Sequence, residues 1–223
     1  MRRATDVFTG VALAIGSATL LIGWRFDANS AAAAARVAVG SQLIATRCGP
    51  IEYQKAVAGP PLLVVHGSGG GHDQGMAFVG ALARHGIRVI AMSRSGYLRT
   101  PMPADASPAA QSDAHTCLLD ALGIRRAAVN TVLDDILPVS SRAEGLRSDS
   151  ALGKSLLPYA LESIVAPTLI VSTRDDGYGT FASAQYTARR IVGARFMGFE
   201  HGGHAWVGHD AEIQAAIIEL IRL

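Results

Sequence analysis

From Val37 onward, short apolar runs alternate with amphipathic stretches, the pattern of strands and helices taken in turn. "SQLIATRC" and "GPIEYQKA" read as two strands joined by a Cys48-Gly49-Pro50 turn, an opening hairpin. Leu62–Val65 is continuously apolar, as for a strand buried on both faces of a mostly parallel sheet. A helix from about His72 to His85 and a strand Ile87–Met92 follow. "ASPAAQSDAHTCLLDALGI" is an amphipathic helix with Ser107 as N-cap, Pro108 at its first position and Gly123 at its end. Later, "PTLIVSTRDD" is a buried strand, "ASAQYTARRIV" a helix, "ARFMGF" a strand and "DAEIQAAIIELIRL" a closing helix. This alternation predicts a doubly wound α/β fold, a mostly parallel sheet with an N-terminal β-hairpin.

The first part of the chain follows another pattern. Val7–Trp24 carries no charge, and its length suits the short end of the ~17–25 residues that cross a bilayer. Arg2 and Arg3 before it favour a cytoplasmic N-terminus, with Trp24 at the far interface. A buried core helix and a signal peptide cleaved within Ala28–Ala35 are the alternatives. An N-terminal transmembrane helix is the favoured expectation, with the bulk of the protein on the extracytoplasmic side. Residues 1–30 then form an anchor or signal segment with a linker, and 31–223 form one α/β domain.

Charge and cysteines change this picture little. A net charge of +2 without a Lys/Arg run argues against nucleic acid as a partner. Cys48 and Cys117 make no metal or redox motif; they could pair in an oxidising compartment, but two buried free thiols are expected.

Candidate chemistry begins after the first buried strand, at His66-Gly67-Ser68-Gly69-Gly70-Gly71. A dinucleotide fingerprint would need glycine where His72 stands, and no Lys-Ser/Thr pair makes a phosphate loop. The turn is either a plain strand-to-helix connection or a set of N–H groups aimed at a developing oxyanion. Asp175 and Asp176 follow the strand Leu169–Ser172, and His204 follows Arg195–Phe199. An acid and then a histidine, each after its own strand, is the order of the last two members of a hydrolase triad, with Asp175 a solvated neighbour. His201, His204 and His209 do not make a zinc pattern, so no metal and no cofactor are expected.

The segments "VVHGSGGGHDQG", "SRSGYLRTPMP", "CLLDALGIRRAAV", "PTLIVSTRDDGYG" and "GGHAWVGH", in that order, resemble the α/β-hydrolase fold superfamily, in particular its exported or membrane-associated bacterial members. The resemblance implies oxyanion-hole duty for the backbone at Ser68 and Gly69, Asp176 as triad acid and His204 as triad base. It also implies a nucleophile elbow, G-x-S-x-G, after the strand beginning at Arg126. There the chain reads "RRAAVNTVLDDIL", turning helix-like at Asn130, and no G-x-S-x-G occurs anywhere. Looser serine matches fall at Ser30 in the linker, Ser112 within a helix, and Ser93, which ends a strand but precedes no helix. The interval Val129–Pro167 is also too short for an elbow, its helix, a further strand and a lid.

The domain is therefore expected to be truncated internally near 129–130, by natural deletion or by an error in the gene boundaries. The strand Leu169–Ser172 is expected to close up against the one at Arg126–Val129. Three functions remain open. The first is an ester or acyl hydrolase by lineage, its oxyanion turn, acid and histidine kept and its nucleophile lost. The second is a non-catalytic membrane-anchored binding protein, and the third a degenerate remnant. The expected partners are a small ester-like substrate, if the protein is active, and the membrane through Val7–Trp24.

Overall fold

The computed structural model describes residues 2–56, 58–132, 139–153, 156 and 158–222, with side chains left undescribed at 2–12, 130–132 and 139–140. It divides into two compact units, Met1–Gly40 and Ser41–Leu223. The first is one helix, α1 (Arg2–Ala38). The transmembrane helix expected at Val7–Trp24 finds no support: among the described residues no helix is long and apolar enough to cross a membrane. The apolar run sits inside a helix that continues through Arg25, Asp27 and Arg36, and residues 7–12 lie outside the described side chains. Leu20, Ile22, Trp24 and Phe26 are all exposed.

The second unit opens with β1 (Gln42–Thr46) and β2 (Gly49–Ala56), an antiparallel hairpin in which Thr46 faces Gly49. The turn is Arg47-Cys48, one step earlier than the sequence suggested. Thr46 Oγ1 closes it, accepting from Cys48 N at 3.1 Å and donating to Gly49 O at 2.7 Å. β3 (Pro61–His66), β4 (Arg88–Met92) and β5 (Ala128–Val132) complete a sheet ordered β1-β2-β4-β3-β5. β3 lies parallel to both β4 and β5, and β2 runs antiparallel to β4. β5 continues past Asn130 to Val132 because β3 supplies partners for that stretch, Val64, Val65 and His66. Between β3 and β4, α2 (His72–Val79) gives way at Gly80 to a 3₁₀ turn ending at His85, where one helix was expected.

α3 (Pro108–Ala121) starts as read, Ser107 Oγ accepting from Ala110 N at 3.2 Å. It covers one face of the sheet, where Cys117, Leu118 and Ile124 pack against Ile51, Leu63, Val65 and Ile90. Each of these buried aliphatic side chains contributes roughly 1.5–3 kcal/mol. Cys117 is bonded to Cys48 in a disulfide spanning 69 residues, which corrects the expectation of free thiols. The α3 face brings the buried Cys117 under the hairpin turn that carries Cys48, a proximity invisible in sequence.

α4 (Ala143–Leu152) precedes β6 (Leu169–Thr173), α5 (Phe181–Arg190), β7 (Arg195–Phe199) and α6 (Asp210–Ile221). β6 and β7 form a separate parallel pair. β6 therefore does not close up against β5. The reason lies in α6: Ile213, Ala216 and Ile217 share one apolar cluster with Leu62, Val64, Val89 and Ala91 of the first sheet and with Met197 of the second. Leu169 and Val171 of β6 pack against the same cluster. That helix fixes β6–β7 in place, so the core is continuous where the sheet is not. Residues 133–138, which hold Leu133-Asp134-Asp135 where an elbow would stand, lie outside the described residues.

Candidate active site

The glycine-rich turn leaves β3 at His66, a buried imidazole. Its Nε2 accepts the Arg94 backbone N–H at 2.9 Å, so the proton sits on Nδ1, which donates to Gly67 O at 2.6 Å. Burial, and then the positive charge of Arg94, lower the pKa of His66 to about 3, and the ring is neutral at physiological pH. Gly69, at φ 83°, donates its N–H to the buried Tyr97 Oη at 3.2 Å. Tyr97 Oη in turn donates to Asp149 Oδ2 at 2.6 Å, and Asp149 is bridged to Arg94 at 2.6 Å. Gly71 is pressed against Arg142, whose side chain a Cβ there would meet at 2.6 Å. The glycines thus serve close packing within the turn as much as any ligand.

These contacts separate the two expected oxyanion donors. Gly69 N–H is held by Tyr97, whereas Ser68 is exposed and lines a cavity of about 500 Å³ with Arg94, Gln111, Ser112, His115 and Asp149. Burial, and then the charge of Arg94, lower the pKa of His115.

Asp176 and His204 are brought together, His204 Nδ1 lying 2.9 Å from Asp176 Oδ2. Asp176 also accepts from Tyr178 N at 2.9 Å and from the Thr180 hydroxyl. Burial alone would raise its pKa; the Thr180, Tyr178 and His204 contacts outweigh that and hold it at about 2. The carboxylate fixes the Nδ1–H tautomer of His204, which makes Nε2 the basic nitrogen. Asp175 is more than a solvated neighbour. It accepts from Gly203 N at 2.8 Å and Gly202 N at 3.2 Å, and Thr173 Oγ1 donates to Gly203 O at 2.8 Å. These three bonds tie down the loop that presents His204. Among the described residues no group of His, Cys, Asp and Glu could hold a metal ion.

Ser93 is fully buried, its Oγ donating to Glu52 Oε2 at 3.0 Å and accepting from His72 N at 3.3 Å. Glu52, also buried, accepts from Arg99 Nε at 2.7 Å and Ser41 Oγ at 2.8 Å. Burial works against its ionisation, but the Arg99 and Ser41 bonds prevail and lower its pKa. Ser93 therefore belongs to a polar knot between β2 and the loop after β4, closed to substrate. Tyr97, Asp149 and Arg142 were not found by sequence reasoning. Tyr97 lies in a segment singled out above, but nothing in the sequence pairs it with an aspartate 52 residues on.

The depressed values set a pH dependence. Above the ordinary histidine pKa of about 6.5 both folded and unfolded chains carry neutral His66. As pH falls from there toward 3, only the unfolded chain takes up the proton, and stability is lost. Asp176 adds a second loss between about 4, its ordinary value, and 2. The urea midpoint is expected to fall steadily on acidification below pH 6.5, while the His66 ring keeps neutral-imidazole NMR shifts to about pH 5. A His66 titration near its ordinary value would contradict the burial argument.

No family model matches the sequence, and no curated protein sequence matches it. Solved structures do. An alpha/beta hydrolase fold protein from Nakamurella multipartita superposes with a TM-score of 0.73 at 21% identity, covering 82% of this chain and 99% of that one. An esterase from Exiguobacterium antarcticum gives 0.69 at 15% identity over 82% and 99%. The enol-lactonase from Burkholderia xenovorans LB400 gives 0.69 at 14% identity over 82% and 100%. The chain has the α/β-hydrolase fold.

Proposed function

We propose that this protein is a hydrolase-fold pseudoenzyme of serine-esterase lineage, one that binds small ester-like molecules without hydrolysing them. The observation that carries the proposal is an Asp176–His204 pair kept at 2.9 Å in a chain whose sequence has no G-x-S-x-G. Between Ala127 and Val139 the sequence holds neither serine nor cysteine. Ser93, the nearest substitute, is sealed against Glu52. A histidine–aspartate pair alone could act only as a general base on water. Even that lacks help from Gly69, whose N–H Tyr97 occupies. The fold likeness to an esterase and an enol-lactonase supports small esters or lactones as the molecules bound.

The expected result is no labelling of any serine by a fluorophosphonate probe, and ester turnover equal to that of a His204→Ala variant. In a working triad that variant costs several orders of magnitude. Stoichiometric labelling, or turnover that falls sharply on His204→Ala, would overturn the proposal.

The location we propose is extracytoplasmic, with attachment to the membrane through the N-terminal helix. The Cys48–Cys117 disulfide supports an oxidising compartment, and the exposed apolar residues of α1 support a lipid-facing role. Recovery of the full chain, reduced and soluble, from the cytoplasm would sink this part.

A further inference from the structure

Among the described residues β5 ends the first sheet and β6 ends the second, so each presents one strand edge with no partner strand. Ala128 and Val129 of β5 and Leu169 of β6 line one cleft of about 620 Å³, with Leu220 and Ile221 beneath them. A hollow of about 250 Å³ continues it, floored by Trp206, Ile213 and Ile217. The described lining from the two strands is Ala128, Val129, Leu169 and Val171, over an apolar floor from α6. Ala128 packs toward the α6 cluster, so Val129 points to the opposite face, where it is 61% exposed.

We propose that this channel is a docking site for one extended segment of a partner polypeptide, added as a strand between β5 and β6. An extended backbone is the chemistry that fits. It alone offers N–H and C=O groups to both edges at once, and its alternate side chains can all be apolar toward α6. A compact small molecule would leave one edge unmet. The mouth at the amino end of β5 sets the charge of the guest. Arg125 and Arg126 are exposed there, and among the described residues neither has a carboxylate partner, so the segment carries an acidic residue beside its apolar alternation. The site lies apart from the Asp176–His204 pair and does not rest on the loss of catalysis.

The test uses the full chain and a fluorescent probe, acetyl-Glu-Val-Thr-Val-Thr-Val-Glu-amide, whose glutamate at each end meets Arg126 in either strand direction. Anisotropy is expected to show saturable binding. The same peptide N-methylated at its valines is expected to bind at least about tenfold more weakly, because it cannot pair through those amides. Arg126→Glu, an exposed change that leaves the fold intact, is expected to weaken this probe and to favour its lysine-ended counterpart. No saturable binding up to about 1 mM, or equal binding of the N-methylated peptide, overturns the proposal. So does indifference to the Arg126 charge. A concentration-dependent dimer of the chain that excludes the probe overturns it too, because the occupant would then be a second copy.

Discussion

Replacing Arg142 by methionine is expected to cost about 3–5 kcal/mol of folding stability, the usual penalty for removing one partner of a buried ion pair. Arg142 precedes α4 and is fully buried, with Nη2 at 2.7 Å from Asp73 Oδ2 and Nη1 donating to Gly70 O. The planar guanidinium reaches a carboxylate on α2 and a carbonyl of the glycine-rich turn together, which methionine cannot do. Lysine is expected to rescue little, because its ammonium is not a fork. Denaturant midpoints measure the loss, and a change under about 1 kcal/mol would mean that the contacts contribute little. The same variant should raise hydrogen exchange in α4, whose Asp149 orients Tyr97 against Gly69.

Removing the disulfide should have a comparable effect. Closing a loop across a separation of 69 residues restricts the unfolded chain by an amount worth about 4 kcal/mol in the loop-entropy description. The Cys48→Ala/Cys117→Ala variant and the reduced wild type are expected to agree with each other and to melt well below the oxidised protein. Equal melting with and without reductant would show that the bond contributes little. The loss should also matter more than in one continuous sheet, since among the described residues the break between β5 and β6 adds two strand edges.

The elements with strong periodicity were legible from sequence: the buried β3, the capped start of α3, and the strand–helix order from Leu169 to Ile221. That Asp176 and His204 would meet was legible too, since each follows its own buried strand, β6 and β7, at the same sheet edge. What the sequence hid was set by partners distant along the chain. Asn130 looked helical because local propensity ignores β3, whose edge extends β5 to Val132. The closing up of β6 looked favourable because unpaired backbone was weighed without α6, whose packing fixes both sheets. Ser68 and Gly69 read alike as donors, and only the fold brings Tyr97 over one of them. The thiols read as free because nothing local shows α3 passing beneath the hairpin.

α6 also sets the order in which the domain can be completed during synthesis. The first sheet has all its strands once β5 has been made, and β6–β7 can pair once Phe199 has been made. Among the described residues no strand joins the two, so they gain a common core only when residues 210–221 arrive. At roughly 5–20 residues per second, the nascent chain spends seconds with both apolar undersides uncovered. Chaperone demand should therefore concentrate in the interval between β7 and α6, and slow codons there should lower the yield of folded protein more than slow codons before β5.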